Sequence, residues 1–406
     1  MAKTFHANYD PGSLDAGVTN YYVICGKTGS TTTQARRQVP IYSAGSFSDY
    51  KVNIFSNSLD VNATLGLQVA GSTVNNVVTV TASTTGYFTV TASDSVTSGQ
   101  LVNYIASASA GSGVLRQRPS ISFSASSNTA QLLIFGDGGA SYIPDAGETI
   151  YWSLGDGTND NTTESRFGFT FKTGGTLRNA SYYTSGNAAA VNTTVRIRID
   201  GANVNLAITV TAATTGLFQD TSNTDTVTDT DVINWSVGRS ADSANLIGQF
   251  VAVEFITTDS TFQIFGGTNG TETAAAATSY FLVPGGAVPS KSTTEINSEN
   301  TVGLSFVASN LEINIIANAS ITDGSFTLWP SGGSSALTTV ITALTTGLYV
   351  DNTNTVQVNN GNTLNFNLIT GSVGGYTLGT YGVKATTTAD PVALSRVSTL
   401  SLLGCG

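Results

Sequence analysis

A Thr-Thr-Gly motif followed by two bulky residues occurs three times in this chain. A strand-like run precedes each copy, and a polar loop, a valine and an Asn-aromatic pair follow it. The copies are marked by the glycines Gly86, Gly216 and Gly347 and by the asparagines Asn103, Asn234 and Asn365. The glycines are 130 and 131 residues apart, and the asparagines are 131 residues apart in both intervals. A period of this length corresponds to a whole domain and not to a short solenoid unit.

The repeat predicts three tandem domains and a tail. We place the domains at 1–126, 127–257 and 258–388, and the C-terminal tail at 389–406. An aromatic pair recurs with the same period near the start of each unit, as Tyr21-Tyr22, Tyr151-Trp152 and Tyr280-Phe281. The repeat therefore extends over most of each unit and is not confined to one motif.

The composition predicts an all-β protein. Hydrophobic residues make up 40% of the chain, charged residues 10%, and 43 residues are glycine, which is typical of short strands joined by many turns. Segments such as 51–55, 77–81 and 101–106 alternate apolar and polar residues with the period of half-buried strands. No segment combines helical periodicity with a helix cap. We expect each unit to be an antiparallel β-sandwich, with a jelly roll favoured over an immunoglobulin-like sandwich.

The charge pattern excludes some classes of partner. The formal net charge is −10 with only 16 Lys and Arg residues, so the chain has no basic stripe for a nucleic-acid backbone. The most apolar run, 246–256, is interrupted by Gln249 and Glu254, and no run is long enough for a transmembrane helix. The N-terminus lacks the apolar core of a signal peptide, and we expect folding in a cytoplasm.

The two cysteines have no metal-binding or redox spacing. Cys25 lies in the first unit and Cys405 one residue from the end. Two incidental thiols are the favoured interpretation. A disulfide that joins the chain ends or two subunits is the alternative.

The second unit concentrates charge in two places. Arg196 and Arg198 share one face of a predicted strand, and they must be solvated or paired because unpaired buried charge costs several kcal/mol. Asp220, Asp225 and Asp229 resemble an oxygen-ligand loop for Ca²⁺. The other units largely lack these carboxylates while the framework persists, so turns in which Asp and Asn bind their own backbone are favoured over a metal site. We predict no cofactor.

No catalytic motif stands out, and we predict that the chain is not an enzyme. Its one histidine is His6, near the terminus, which argues against Ser-His-Asp and Cys-His arrangements and most zinc sites. Carboxylate pairs of the glycosidase type need no sequence proximity, so a polysaccharide-degrading enzyme remains an alternative.

The three tryptophans, Trp152, Trp235 and Trp329, raise the alternative of a glycan-binding surface. Trp152 and Trp235 occupy repeat positions that hold Tyr or Phe in the other units. Retained aromatic bulk at these positions favours core packing for both.

The recurring pattern of Thr-Thr-Gly-aromatic, polar loop, valine and a strand such as 231–237 resembles repeats in structural proteins of tailed bacteriophages. Those proteins are of the head-decoration, head-fibre and tail-fibre type and consist of β-sandwich modules. The resemblance covers all three units. It implies a virion component that assembles in the host cytoplasm and is commonly trimeric. The chain lacks the coiled-coil heptads and Gly-X-Y runs of many fibres.

Besides the enzyme alternative, these observations lead to one functional expectation and one non-catalytic alternative. We expect a non-catalytic structural protein on the surface of a phage particle, as a capsid decoration or a fibre component. The alternative is an adhesin that binds a glycan or receptor on the host surface. A sandwich buries one face of each sheet, so the outer faces remain available for contacts. We expect a homo-oligomer, most simply a trimer, in which the N-terminal unit or the tail 389–406 binds other virion proteins.

Overall fold

The structure is a computed structural model. It describes residues 3–7, 13–25, 31–126, 129–135, 147–152, 162–164, 167–238, 246–267, 271–272, 278–281 and 292–388. These residues form an all-β protein with six antiparallel sheets and no α-helix. The helical elements given with full bounds are two short 3-10 helices, Gln34–Arg36 and Glu295–Ser298. The predicted tail 389–406, with Cys405, lies outside the described residues.

The first segment of the chain, residues 3–126, contains ten strands. They are β1 (Lys3–Ala7), β2 (Ser13–Asp15), β3 (Thr19–Tyr22), β4 (Val39–Pro40), β5 (Gly45–Asn57), β6 (Ala63–Val69), β7 (Ser72–Val80), β8 (Gly86–Val96), β9 (Leu101–Ala108) and β10 (Val114–Ala125).

The second segment, residues 129–257, contains nine described strands. They are β11 (Thr129–Phe135), β12 (Thr149–Trp152), β13 (Phe169–Thr170), β14 (Gly175–Asn187), β15 (Thr193–Ile199), β16 (Ala202–Val210), β17 (Gly216–Val227), β18 (Val232–Gly238) and β19 (Leu246–Thr257).

The third segment, residues 261–388, contains ten described strands. They are β20 (Thr261–Gly267), β21 (Thr271–Glu272), β22 (Thr278–Phe281), β23 (Asn300–Thr301), β24 (Phe306–Asn318), β25 (Gly324–Pro330), β26 (Thr338–Ile341), β27 (Gly347–Val358), β28 (Thr363–Ile369) and β29 (Tyr376–Thr387).

Strand order is the same in the three segments. One sheet of each has the order β1-β10-β5-β8, β11-β19-β14-β17 or β20-β29-β24-β27. The other has the order β3-β9-β6-β7, β12-β18-β15-β16 or β22-β28-β25-β26. The short strands β2, β4, β13, β21 and β23 extend the pairing of β10, β9, β18, β29 and β28. Every pairing is antiparallel, so neighbours along the sheet alternate in direction.

The long strands β5, β14 and β24 each contain a bulge at the same place. Asp49, Asn179 and Asn310 have φ angles of 57°, 55° and 53°. The pairing register with β8, β17 and β27 shifts across each of these residues. Asp and Asn tolerate this left-handed conformation better than other residues with a side chain. A bulge bends its strand and increases its twist, which lets one long strand curve along the sheet.

The Thr-Thr-Gly motif forms the turn that leads into β8, β17 and β27. Gly86, Gly216 and Gly347 have φ angles of 118°, 119° and 121°, a region that favours glycine. An asparagine amide caps each turn by donating to two of its carbonyls. The donors are Asn57, Asn187 and Asn318, and all six hydrogen bonds are 2.8–3.2 Å long.

Each segment has a cluster of buried apolar side chains between its two sheets. Tyr50 and Tyr104 lie in the first cluster, Trp235 in the second and Tyr381 in the third. The clusters do not follow the segment boundaries strictly, because four residues of the second segment pack with the first cluster. These residues are Ala130, Leu132, Phe250 and Ala252.

Hydrogen bonds connect each segment to both of the others. Tyr42 in the first segment accepts a 2.6 Å bond from Gln219 in the second. Thr380 in the third segment donates a 2.7 Å bond to the carbonyl of Gly168 in the second. Ser120 in the first segment donates a 2.6 Å bond to the carbonyl of Thr301 in the third. The three segments therefore close into a ring.

The ring covers part of the outer faces of the sheets. Lys51, Asn53 and Ser120 of β5 and β10 are 6%, 0% and 1% exposed. Asn53 donates to the carbonyls of Ile296 and Glu299 in the third segment. The sequence predicts that such faces remain available for contacts, and here the contact is made by another segment of the same chain.

His6 is buried between the first and second segments. Its Nε2 accepts a 3.2 Å hydrogen bond from the backbone N–H of Leu132, and the rings of Phe47 and Phe123 lie edge-on to it. Burial lowers the pKa of His6 from 6.5 to about 3. The imidazole is therefore neutral at physiological pH and inaccessible as a catalytic base.

We expect His6 to make the fold sensitive to mild acid. Its folded-state pKa is lowered, so below about pH 6.5 the unfolded chain binds a proton that the folded chain does not. The free energy of unfolding should then decrease by up to about 1.4 kcal/mol per pH unit from this one group. His6→Gln retains an acceptor for Leu132 without titrating. Urea unfolding between pH 7 and pH 5 should give a shallower pH dependence for the variant, and equal slopes would contradict the prediction.

Candidate functional site

A polar cluster recurs in each segment on the outer face of the second sheet. Its three positions are a Gln or Glu from the loop before the long strand, a residue of β6, β15 or β25, and the repeat asparagine of β9, β18 or β28. The clusters are Gln34, Gln68 and Asn103; Glu164, Arg198 and Asn234; and Glu295, Trp329 and Asn365. In each, the second and third residues are paired directly across the sheet. The repeat asparagines thus share one structural environment.

The loop residue of each cluster lies over a glycine in the adjacent hairpin turn. A Cβ at Gly71 would lie 3.7 Å from Gln34 Nε2, one at Gly201 3.8 Å from Glu164 Oε2, and one at Gly332 3.5 Å from Glu295 Oε1. These glycines have φ angles of 82°, 73° and 73°. The same backbone geometry therefore presents a glutamine in the first segment and a glutamate in the second and third.

The first cluster is neutral and internally hydrogen-bonded. Gln34 Nε2 donates to Gln68 Oε1 at 2.8 Å, and Asn103 Nδ2 donates to the same oxygen at 3.0 Å. No charge has to be compensated there.

The second cluster contains an ion pair. Arg198 donates from Nε to Glu164 Oε1 at 2.5 Å and from Nη2 to Oε2 at 3.0 Å, a bidentate arrangement. Asn234 Nδ2 adds a 3.2 Å bond to Oε1, and the Tyr151 ring lies 5.5 Å from the guanidinium carbon. The hydrogen bond to Glu164 raises the pKa of Arg198. One of the two cations on this strand is therefore paired, which is one of the two outcomes that the sequence allows.

The third cluster has two carboxyl groups. Trp329 replaces the arginine, and Glu299 lies beside Glu295. Burial raises the pKa of Glu295, the charge of Glu299 and a hydrogen bond between the two carboxyl groups raise it further, and Trp329 and Asn365 partly oppose the shift. Such a pair favours a shared proton or a bound cation, because two adjacent carboxylates repel each other.

Glu299 is itself held across the boundary between the third and first segments. Its Oε2 accepts a 2.5 Å hydrogen bond from the Tyr87 hydroxyl, and its Oε1 accepts a 3.0 Å bond from Thr363 Oγ1. Burial and the neighbouring Glu299 raise the pKa of Tyr87, which keeps the phenol protonated. The third cluster therefore lies at the junction of two segments.

Two of the clusters open into clefts between segments. The cleft between the second and third segments has a volume of about 570 Å³ and is lined by Glu164, Asp200 and Asn234 on one side and by Asn314 and Leu348 on the other. The cleft between the third and first segments has a volume of about 420 Å³, and Glu295, Glu299 and Tyr87 contribute to its wall. These volumes are in the range of small-ligand sites.

The predicted Ca²⁺ candidates lie on and after β17, away from these clusters. Asp220 accepts hydrogen bonds from the backbone N–H groups of Ala207, Ser222 and Asn223. Burial raises the pKa of Asp220, but these bonds and the Asn223 side chain outweigh it, and the pKa is lowered overall. Asp225 accepts bonds from the backbone of Asn205 and Leu206. Asp229 is exposed. No group of three or more His, Cys, Asp or Glu residues within the described part of the chain is arranged to hold a metal ion.

The tryptophans occupy different environments. Trp152 and Trp235 are 6% and 0% exposed and belong to the second apolar cluster. Trp329 is half-buried in the third polar cluster, with its ring centroid 6.3 Å from that of Tyr280. Cys25 is buried in the first apolar cluster.

The loop residues of the clusters were not identified from the sequence. The first segment has Gln34 where the others have Glu164 and Glu295, and each of the three residues follows a Thr-Thr pair, at 32–33, 162–163 and 293–294. Their spacing of 130 and 131 residues is the repeat period, which is the signal that could have identified them.

No protein-family model matches the sequence, and a comparison with curated proteins gives no significant match. Among the described residues, no helix has the length and apolar character needed to cross a membrane.

Proposed function

We propose that this chain is a non-catalytic structural protein on the surface of a tailed-bacteriophage particle, as a capsid decoration or a fibre component. The observation that carries the proposal is the ring closure. Equivalent regions of the three segments, around residues 42, 168 and 301, each contact the next segment. Contacts of this kind make one rigid body from a repeated unit, which suits a building block more than a chemical catalyst.

We further propose that each segment is a jelly-roll domain, with domains at 1–126, 127–257 and 258–388. In the first segment the eight main strands in chain order are β1, β3, β5, β6, β7, β8, β9 and β10. Counted in that order, one sheet has strands 1-8-3-6 and the other 2-7-4-5. This arrangement supports a jelly roll, a fold that viral capsid and lectin domains use.

The contacts between segments are mostly neutral hydrogen bonds. Tyr42, Ser120 and Thr380 take part through hydroxyl groups, and among the described residues only Lys172–Glu312 is an ion pair between segments. Neutral hydrogen bonds are less sensitive to salt than exposed ion pairs. This chemistry supports a particle component that tolerates changes in ionic strength.

Separately, we propose that three copies of the chain assemble into a homotrimer. The intramolecular contacts already cover part of the outer faces, so a trimer must use other surfaces, including loop ends or residues 389–406. Sedimentation equilibrium of the purified chain tests the proposal, since the monomer has a mass of 41.8 kDa. A monomer at high micromolar concentration would exclude the trimer.

Mass spectrometry of purified virions tests the proposed location. Particles from lysates of an infected host should contain peptides of this chain at a constant ratio to the major capsid protein through successive density gradients. Immunogold labelling should then show whether the chain lies on the head or on the tail of the particle. Gradient-purified particles without peptides from this chain would refute the virion assignment.

The alternative of a glycan-binding adhesin is favoured by one observation, the half-buried Trp329 beside Tyr280 in a polar cluster. Aromatic rings with nearby polar side chains suit a sugar with apolar and hydroxyl-bearing faces. A glycan array should show binding that Trp329→Ala removes. An array at background level for both proteins would exclude the adhesin.

A further inference from the structure

Exposed apolar side chains are concentrated in the third segment. Within the described part of the chain, eleven large apolar side chains are exposed, and eight of them belong to residues 261–388. Five of these eight lie at one end of the segment, and we call them the apolar end. They are Ile321, Val340, Leu344, Ile369 and Val373, with exposed fractions of 57%, 57%, 65%, 45% and 53%. Such a concentration on one surface is typical of a site that another molecule covers.

Backbone hydrogen bonds hold the three loop residues of the apolar end side by side. The N–H of Ile321, between β24 and β25, donates to the carbonyl of Val373, between β28 and β29, at 3.2 Å. The N–H of Leu344, between β26 and β27, donates to the carbonyl of Ser320 at 2.9 Å. Three separate loops therefore bring their aliphatic residues to one place.

The other two residues lie on the sheet directly behind these loops. Val340 of β26 and Ile369 of β28 are both paired with Ser325 of β25, so they flank it in one row across the strands. Residues in one such row point to the same face of a sheet, and here it is the outer face, since both side chains are exposed. Each of the two precedes a loop residue of the apolar end, Leu344 or Val373, by four positions. The five residues therefore form one patch.

The other two segments show that this backbone does not require apolar residues. The equivalent hydrogen bonds and strand pairs of the first segment identify the five counterparts, which are all polar: Asp60, Thr79, Ser83, Ser107 and Ser112. In the second segment the four counterparts that the structure describes are small or polar: Ala190, Thr209, Ala213 and Gly238. The aliphatic residues of the third segment are therefore not a requirement of the fold.

Leu344 shows this most clearly. Its φ angle of 55° lies in the left-handed region, and its counterparts Ser83 and Ala213 have 57° and 52°. A bulky side chain is disfavoured in this conformation. Because Leu344 is 65% exposed, it gains little from burial within its own chain. Burial by another molecule would explain the presence of leucine here.

The size of the patch matches one side of an interface between protein subunits. Five side chains with these exposed fractions present on the order of 450 Å² of apolar surface, which is large for a patch on a monomer. A standard interface buries about 800 Å² per partner, and about 57% of that area is apolar, which is again roughly 450 Å². The patch is therefore large enough to supply the apolar part of such an interface.

The chemistry of the patch favours a second copy of this chain as the partner. At a symmetry axis identical surfaces face each other, so aliphatic side chains meet aliphatic side chains. The hydroxyl of Ser325 can both donate and accept, so it too can pair with its own counterpart. A carboxylate would repel its counterpart, and Ile321 stands where the first segment has Asp60. Asp323 lies at the margin, where its Oδ1 accepts a 2.9 Å hydrogen bond from the backbone N–H of Ala343.

We propose that the apolar end is the contact between copies of this chain. In the proposed homotrimer, three apolar ends meet at the threefold axis. The inference rests on that self-association and names the surface that forms it. Each substitution in the patch changes three symmetry-related contacts at once, so a few substitutions should suffice to dissociate the assembly.

The first segment supplies the substitutions for a test on the full-length chain. One variant combines Ile321→Asp, Leu344→Ser and Val373→Ser, the residues that the same backbone carries in the first segment. It should therefore stay folded, which circular dichroism and urea unfolding verify. Sedimentation equilibrium at high micromolar concentration should give three times the monomer mass of 41.8 kDa for the wild type and 41.8 kDa for the variant.

A second variant and a control make the test specific. Val340→Thr combined with Ile369→Ser changes the sheet part of the patch independently of the loops and should also give the monomer mass. Val191→Thr is the matched control, because it removes a 41% exposed valine from the second segment at the position where the third has Thr322. The control should sediment like the wild type.

The outcomes separate this inference from the proposed function. Folded patch variants that keep the wild-type mass would overturn the contact and leave the homotrimer standing. A wild-type dimer that both patch variants dissociate would support the contact and exclude the trimer. A wild-type monomer would overturn the contact together with the homotrimer, and binding of that monomer to phosphatidylcholine vesicles would identify lipid as the occupant instead. Mass spectrometry of virions tests the particle assignment independently of all these results.

Discussion

Replacing Lys172 by methionine should destabilise the chain by about 3–5 kcal/mol, because the change leaves a buried carboxylate without its partner. Lys172 of the second segment forms an ion pair with Glu312 of β24 in the third segment, and their side chains are only 9% and 1% exposed. Burial raises the pKa of Glu312, and Lys172 opposes that shift. Without the ammonium group, the pKa of Glu312 should rise, so Glu312 should become protonated at a higher pH than in the wild type. Urea unfolding at neutral pH measures the loss.

A second substitution distinguishes the contribution of the ion pair to stability from the cost of burying its two members. Lys172→Met combined with Glu312→Leu replaces both charges by apolar groups of similar size, and such replacements of buried pairs are often neutral or stabilising. The double variant should recover most of the lost stability. Lys3→Met is the matched control, since Lys3 pairs with Asp49 while 35% exposed, and exposed pairs contribute about 0–1 kcal/mol. Equal losses in Lys172→Met and Lys3→Met would contradict the buried-pair argument.

Truncating Trp235 to alanine should destabilise the chain by about 3–5 kcal/mol, the range for large aromatic residues in a core. Trp235 is 0% exposed in the second apolar cluster and pairs with Ile197 and Trp152 on the neighbouring strands. The removed ring leaves a cavity that the surrounding strands can fill only in part, because backbone hydrogen bonds hold them in place.

Trp329→Ala makes the same chemical change at a half-buried position. It should lower the free energy of unfolding markedly less than Trp235→Ala does, because water can occupy the space that the ring leaves. Thermal and urea unfolding of both variants measure the difference. A larger loss for Trp329→Ala would show that the third polar cluster contributes more to stability than its exposure indicates.

The junctions between segments differ in chemistry, although their geometry recurs. The second and third segments use the Lys172–Glu312 ion pair, the first and second use Tyr42 and Gln219, and the third and first use Tyr87 and Glu299. A wrong pairing of segments would leave a buried charge without its partner. Such differences favour a single order of the segments around the ring, because a segment that docks on the wrong neighbour loses its specific partner.

Several elements could be predicted from the sequence because they depend on local physics. The all-β class follows from period-two alternation and many turn residues, and it is confirmed by the six antiparallel sheets. The Thr-Thr-Gly turns follow from the need for positive φ, which Gly86, Gly216 and Gly347 show. The cost of an unpaired buried charge limits Arg198 to solvation or pairing, and the structure shows pairing with Glu164.

Other elements could not be predicted, because they depend on residues far apart in the sequence. The Glu295–Asn365 neighbourhood joins a loop to a strand 70 residues later, and the Tyr87–Glu299 bond spans 212 residues. The bulges at Asp49, Asn179 and Asn310 have no strong local signal, since Asp and Asn also occur in ordinary turns.

The sequence by itself determined the β class, the repeat period and the positions of the turns, because side-chain alternation and backbone preference act over a few residues. Only the tertiary structure decided that the segments close into a ring, which sheet faces are buried by a neighbour, and which carboxylates meet. Those outcomes depend on the curvature and packing of whole sheets. Similar units can therefore bring Gln34, Glu164 and Glu295 to the same place with three different chemical results.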